Sequence, residues 1–482
     1  MKFKNVLREA AFIDGQWTLA KSGKTMPVIN PATGAQIATV PDLDVNEAKQ
    51  AIEAASAAFK SWKKTTAKQR ATLLNRWFQL ITDNADALAE LLTVEQGKPL
   101  REAKGEVLSC ASFFEWFGEE AKRTYGENIP SNTNSTRLLT VKQPIGVVSA
   151  ITPWNFPISM IARKAAPAIA AGCTIVIKPA EDTPLCALAL AALAEEAGIP
   201  CGVINVVTTA HPIEIGHELC TNPIVKKVSF TGSTPVGKTI LGLAAKTVKK
   251  ASMELGGNAP FIVFDDADLE PAVAGAIASK YRNAGQTCIC TNRIFVQAGI
   301  YDKFVTRFQE EVEKFTIGSG LDASTDIGPL INEAAVAKTD GLVRRALEQG
   351  AKLHSGGQQD AAGDRFYQPT LLTNVTDDME IAQAELFGPI STVFKFEDEE
   401  EVIERANNTP YGLAAYVYTR DIGRVWRVSE ELEYGMVGVN EGMISNELAP
   451  FGGVKESGIG REGSRHGMDD YMELKYICMG GI

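Results

Sequence analysis

Between residues 145 and 265 the chain repeats one pattern, a short unbroken apolar run followed by a stretch with helical spacing. The runs are VVSAI (147–151), TIVI (174–177), VINVV (203–207), KVSF (227–230) and FIVF (261–264), and helix-like segments such as 157–171 and the Ala/Leu-rich 184–197 lie between them. A strand apolar on both faces has to be covered on both faces, so its alternation with helices implies a parallel sheet flanked by helices, a doubly wound α/β domain. A second alternating series over about 270–440, with RIFVQ (293–297), STVFKF (391–396) and AAYVYT (414–419), implies a second α/β domain. Upstream, residues 44–60 and 84–95 place apolar positions three and four apart, so the first hundred residues read as largely helical. The closing DDYMELKYICMGG has a β-prone core (471–478) outside both series, suited to pairing with another sheet's edge.

A chain of 482 residues suits two or three domains of this kind. Its 45% hydrophobic and 22% charged content is that of a soluble globular protein, and no apolar run reaches the roughly 18 residues a membrane span needs. The opening MKFKNVLREAAFIDGQW carries Asp14 where a signal peptide needs an apolar stretch of about 7–15 residues, which makes the cytoplasm the expected location. A net charge of −11, with no basic cluster interleaved with aromatics, argues against nucleic acid as a partner. The eight cysteines are scattered and read as reduced thiols, and the four histidines (211, 217, 354, 466) show no zinc-like spacing, so no metal site is expected.

Four segments carry groups suited to chemistry. In GQTCICTNR (285–293), Cys288 follows Gly285 and two small polar residues, and the preceding SKYRNAG reads as a helix ending at that glycine. MELGGNAP (253–260) sets Glu254 before two glycines, a flexible backbone able to present a carboxylate as a base. TPWNFP (152–157) follows the strand VVSAI at its C-terminal end, where open α/β sheets place ligands, and holds the Asn155 amide between two prolines. In FTGSTPVG (230–237), Gly232 and Gly237 frame a tight turn into a helix whose free N–H groups suit a pyrophosphate. Each also has an ordinary reading: a small core cysteine, a salt-bridged glutamate, a plain strand-to-helix turn. GIGREG (458–463) matches GxGxxG literally, but no apolar strand precedes it, and it is discounted as a nucleotide fingerprint.

Together, TPWNFP, KPAEDTP, FTGSTPVG, MELGGNAP, GQTCIC, ELFGP (385–389) and PFGGVKESG (450–458) resemble the NAD(P)-dependent aldehyde dehydrogenase superfamily, in family order. The likeness covers nearly the whole chain, and YRNAGQTCIC, GMISNELAPFGG and the tail YMELKYICMGG look most like the succinate-semialdehyde branch. The resemblance implies a Rossmann-type cofactor domain (1–126 and 146–252), an α/β catalytic domain (253–446), a small β oligomerisation element (127–145 and 465–482) and a segment returning to the active site (447–464). It implies Cys288 as nucleophile, Glu254 as general base, and Asn155 with the Cys288 N–H as oxyanion hole. It places Lys178 and Glu181 at the adenosine ribose, Trp154, Gly232, Ser233, Gly237 and Leu255 along the cofactor path, and Glu385 and Phe387 at the nicotinamide end. Arg163, Arg282 and Ser445 match the branch's carboxylate-binding positions, so the implied substrate is an aldehyde about four carbons long with a terminal carboxylate. Glu181 implies NAD in preference to NADP, with NADP still usable. The branch also implies a redox partner role for Cys290, and assembly into dimers or tetramers.

Overall fold

The computed structural model describes residues 2–481. Four short strands open the chain: β1 (Ala11–Ile13), β2 (Gln16–Thr18), β3 (Thr25–Ile29) and β4 (Gln36–Pro41). They correct the expectation of a mostly helical start. Asp14 and Gly15, both at positive φ (52° and 71°), form the two-residue turn that joins β1 to β2, and such turns favour the Asp-Gly pair. Helices α1 (Val45–Trp62), α2 (Ala67–Asp83), α3 (Ala85–Gln96) and α4 (Leu100–Glu120) follow. The first two begin with capping boxes, Asp44 with Glu47 and Thr66 with Gln69, which answer the orphan N–H groups of the first turn.

Strands β5 (Asn128–Ile129) and β6 (Thr136–Pro144) lead into the central α/β unit: β7 (Val147–Ile151), α5 (Pro157–Ala171), β8 (Thr174–Lys178), α6 (Pro184–Ala197), β9 (Ile204–Val206), α7 (Pro212–Thr221), β10 (Val225–Thr231), α8 (Thr234–Ala245) and β11 (Lys250–Glu254). Strands β7 to β11 pair in parallel in the order β11-β10-β7-β8-β9, with β1 antiparallel to β9 and β2 beyond it at the edge. The chain builds outward from β7 to β9, then returns to lay β10 against the other side of β7. The crevice beyond the C-terminal ends of β7 and β10 is therefore the topological switch point.

The second sheet contains β12 (Ala259–Val263), β13 (Thr291–Gln297), β14 (Lys352–Ser355), β15 (Thr370–Thr373), β16 (Ile390–Phe396), β17 (Ala414–Tyr418) and β18 (Met436–Val439), in the order β14-β15-β16-β13-β12-β17-β18. Helix α9 (Leu269–Tyr281) joins β12 to β13. Only four residues, Leu255 to Asn258, separate β11 from β12, so the C-terminal edge of the first sheet faces the N-terminal edge of the second. The short strand β19 (Gly458–Ile459) lies antiparallel to the end of β11, a pairing strand that contributes no nucleotide turn.

The tail forms β20 (Met472–Gly480) and pairs with β6 over nine residues, while β5 takes the other side of β6. The expected edge pairing thus falls within the chain's own third sheet. Leu474, Tyr476, Ile477 and Met479 remain exposed on this strand. Among the described residues, no helix is long and apolar enough to cross a membrane.

Candidate active site

Cys288 sits just before β13, on a loop that enters it by an unusual route. Helix α9 stops at Tyr281, four residues short of the expected glycine, and the chain then turns left-handed at Asn283 (φ 53°), Ala284 (φ 55°) and Gly285 (φ 74°). Two non-glycine residues in that region store strain that the surroundings must hold. Glu102 of α4 accepts from the Asn283 N–H at 2.8 Å, the Asn283 side chain donates to the Asn155 carbonyl at 3.0 Å, and Gln286 donates to the Asn283 carbonyl at 3.0 Å. A Cβ at Gly285 would collide with the Gly388 carbonyl, so only glycine fits.

The two cysteines of the loop face different surroundings. Cys288 is half-buried and lines the central cavity, whereas Cys290 is buried and its Sγ donates to the Lys280 carbonyl at 3.2 Å. The segment between them is a turn closed by the Cys290 N–H on the Thr287 carbonyl at 3.1 Å. Burial pushes the Cys288 thiol up to about 12, the Glu385 and Glu254 carboxylates add to this, and the Arg163 guanidinium opposes it.

Asn155 follows β7 at the switch point. Its Oδ1 accepts from the Phe156 N–H at 3.1 Å and its Nδ2 donates to the Gln286 carbonyl at 2.9 Å. These two bonds fix the amide orientation and leave the second Nδ2 hydrogen for a ligand oxygen. Glu254 ends β11 in register with Thr231 on one side and Gly458 on the other, a rigid strand end where the sequence suggested flexible backbone. It is buried, and neither carboxylate oxygen has a hydrogen-bond partner among the described residues. Burial, and then the nearby Glu462, hold it well above the ordinary carboxylate range.

On the far side of Cys288 a smaller cavity is lined by Arg163, Arg282, Ser445, Phe156 and Phe451. Arg163 projects from α5 and is 4% exposed, with its guanidinium carbon 4.1 Å from the Phe451 ring centre and 5.1 Å from that of Phe113. One nitrogen donates to the Ser445 hydroxyl at 2.6 Å, while Nε and Nη1 are buried without partners among the described residues. Arg282 lies over the Phe156 ring at 4.9 Å.

The larger cavity, about 350 Å³, opens on the other side of Cys288 and is lined by Trp154, Gly232, Ser233, Leu255, Glu385 and Phe387, among others. Its chemistry suits a dinucleotide. Helix α8 starts at its wall without a side-chain cap, which leaves first-turn N–H groups for a phosphate. Trp154 and Phe387 meet edge to face at 5.5 Å, and Glu385, anchored by the Gly257 N–H at 2.9 Å and raised by burial to about 7, presents a carboxylate suited to ribose hydroxyls.

Lys178 ends β8 and forms an ion pair with Glu181 outside that cavity's lining. Gly237 departs from the sequence reading. It lies within the first turns of α8, where a side chain would strike Leu255, so it permits close helix–strand packing instead of framing the turn.

Several groups at the site escaped sequence reading. Lys338 lines the large cavity and donates to the Glu385 carbonyl at 2.8 Å, and buried Lys164 joins Glu462 to Thr231 beside Glu254. Phe113 and Phe451 sandwich Arg163 from segments 338 residues apart. No local pattern signals a buried lysine or an aromatic contact across such a separation.

Comparison with known proteins supplies context for this geometry. The profile of the aldehyde dehydrogenase family matches residues 17–477. The chain is 57% identical to a 3-sulfolactaldehyde dehydrogenase of Pseudomonas putida over 100% of this chain and 99% of the relative. It is 56% identical to a glutarate-semialdehyde dehydrogenase of Pseudomonas aeruginosa over 100% of both, and 55% identical to an NADP(+) succinate-semialdehyde dehydrogenase of Escherichia coli over 99% and 98%. The crystal structure of succinate-semialdehyde dehydrogenase from Burkholderia pseudomallei superposes with a TM-score of 0.98 at 56% identity, covering 99% of each chain.

Proposed function

The chain belongs to the aldehyde dehydrogenase family, and on that premise we propose that it oxidises succinate semialdehyde to succinate. The observation that carries the substrate class is Arg163, a buried guanidinium with two unpartnered nitrogens among the described residues, on the wall of a cavity it shares with Ser445 and Cys288. Such a group is matched by an anion, and a carboxylate beside Nη1, with Nη2 held by Ser445, would gain charge-assisted hydrogen bonds from it. The relatives named above act on sulfolactaldehyde, glutarate semialdehyde and succinate semialdehyde, aldehydes that each carry an anionic tail. Glutarate semialdehyde is the second reading, since one methylene is worth only about 1–3 kcal/mol of discrimination. Rates of nicotinamide reduction with the two semialdehydes, sulfolactaldehyde and a neutral aldehyde of equal length test the assignment; preference for the neutral aldehyde refutes it.

In the proposed reaction Cys288 attacks the aldehyde carbon and the oxygen takes up negative charge opposite the Asn155 amide and the Cys288 N–H. Glu385, Phe387 and Ser233 line the large cavity and would hold the nicotinamide dinucleotide, which would supply the hydride acceptor. Loss of hydride turns the thiohemiacetal into a thioester. Glu254 then accepts a proton from water, which attacks the thioester carbon, releases the acid and returns the thiol. Its presence favours hydrolysis over transfer to coenzyme A.

Two consequences can be measured. An acid with a raised pKa stays protonated to higher pH, so the thiolate of Cys288 and the basic form of Glu254 both grow as pH rises. We expect kcat/KM to climb with the thiolate, by up to about tenfold per pH unit between about pH 6.5 and 8.5; a flat or falling profile contradicts this assignment of base and nucleophile.

The second consequence concerns the cofactor. The Glu181 carboxylate, held by Lys178, suits ribose hydroxyls and disfavours a 2′-phosphate, because two like charges about 4 Å apart repel by about 4 kcal/mol at an effective dielectric of 20, less at this partly exposed side chain. NAD is therefore the proposed preferred cofactor with NADP as a weaker one, although the E. coli relative is an NADP(+) enzyme. Glu181→Ser should narrow the NAD to NADP ratio of kcat/KM about tenfold; an unchanged ratio removes Glu181 from cofactor choice.

Exposed Leu474, Tyr476, Ile477 and Met479 on β20 are the proposed contact between copies in a dimer or tetramer, and monomeric sedimentation would exclude it.

A further inference from the structure

We infer that helix α4 positions both halves of the active site through a buried Lys98–Glu106 pair and the neighbouring Glu102. The inference rests on the roles proposed above for Asn155 and Cys288. Residues 102, 106, 109 and 113 of α4 follow one another at spacings of four, three and four, so they share one face of the helix. Each meets the site at a different point. Glu102 accepts from the Asn283 N–H in the left-handed Cys288 loop. Ser109 lines the small cavity, and Phe113 lies against the Arg163 guanidinium.

Glu106 does more than fill space. Helix α5 begins at Phe156 and Pro157 with no capping side chain of its own. Glu106 supplies the cap from 52 and 53 residues away, accepting from the Ile158 and Ser159 N–H groups at 3.1 Å each. Its other oxygen takes the Lys98 ammonium at 2.5 Å, and that ammonium also donates to the Asn155 carbonyl at 2.7 Å and sits 3.7 Å from the Phe156 ring centre. Both side chains are fully buried.

The Asn155 carbonyl therefore receives Lys98 from one side and the Asn283 side chain from the other. One carbonyl joins the oxyanion loop after β7 to the nucleophile loop before β13. Through the cap on α5, the same pair sets the start of the helix that carries Arg163. A fully buried ion pair gives little net stability, because desolvation offsets most of its attraction, and its usefulness here lies in geometry. Lys98, Glu102 and Glu106 are positioning residues; none of them lines either cavity.

The test compares Lys98→Met, Glu106→Gln and the neutral double variant Lys98→Met/Glu106→Gln with wild type, using full-length enzyme and the best aldehyde of the panel. The double variant leaves no unpaired buried charge, so it remains informative if either single variant fails to fold. Exposed Lys104→Met on the same helix serves as control. We expect kcat to fall about 100-fold in the double variant, the size of effect produced by misplacing or losing an oxyanion donor. NAD affinity, measured by direct binding, should stay within about threefold of wild type, and Glu106→Gln alone, which keeps the acceptor for the α5 cap, should lose less. A kcat within threefold of wild type overturns the inference, as does a loss of NAD affinity that runs in step with kcat, the mark of general loosening. Wild-type turnover in the same assay reports separately on the functional reading, which can fail without these ratios changing.

Discussion

Cys288→Ala is expected to remove aldehyde oxidation, with kcat falling by about 10⁴-fold or more, as when the nucleophile of a covalent mechanism is deleted. The loop is held by Asn283, Gly285 and Gln286 through contacts that do not use the Cys288 side chain, so cofactor binding should survive. Retained turnover would exclude Cys288 as the nucleophile. Cys290→Ala is the paired comparison, because its sulfur is turned into the core against the Lys280 carbonyl and the reaction gives it no step. The redox role proposed for Cys290 requires that sulfur to leave this bond and reach Cys288. Peroxide inactivation that dithiothreitol reverses in wild type but not in Cys290→Ala would support the role, and identical behaviour in both would end it.

Arg163→Met should lower kcat/KM for succinate semialdehyde by about 10²–10³-fold, the range seen when one partner of a buried charge pair is truncated. A neutral aldehyde of similar length should lose little or gain. The same substitution has an opposite expected effect on the protein alone. Among the described residues Arg163 has only Ser445 as a hydrogen-bond partner and leaves two buried nitrogens, Nε and Nη1, unanswered, and each such unsatisfied group costs about 1–3 kcal/mol. Methionine between Phe113 and Phe451 removes that penalty and keeps most of the packing, so the melting temperature should rise or hold. A lower melting temperature together with an equal loss on both aldehydes would make Arg163 a structural residue and withdraw the anion-binding assignment.

Much of the architecture could be read in advance because it follows from periodicity. The unbroken apolar runs at 147–151, 174–177 and 261–264 became fully buried strands, and the three- and four-residue spacing of 44–60 became α1. The hairpins before residue 42 were missed: β1 and β2, three residues each, carry too few positions to show alternation, although Asp14-Gly15 was a readable turn signal, while the five-residue β3 does alternate, with Met26 and Val28 buried. Around the site, the motif residues themselves were found, whereas their conformations were not. Nothing local announces that Asn283 and Ala284 turn left-handed, because bonds from Glu102 and Asn155, residues more than a hundred positions away, hold them there. Lys98 and Glu106 stayed invisible for a related reason: charge is read as surface until the fold supplies its partner.

The four residues between β11 and β12 have a consequence for how such a chain can change over time. They carry the polypeptide directly from one sheet to the other just after Glu254, so an inserted or deleted residue there would shift Glu254 against Cys288 and, on the proposed mechanism, end activity in one step. The groups proposed to recognise the substrate's tail come from separate places, Arg163 on α5, Arg282 on the Cys288 loop and Ser445 beyond β18, and can be exchanged singly. Diversification among sequences built this way is thus channelled toward the substrate's far end, while the reacting end admits almost no variation in length.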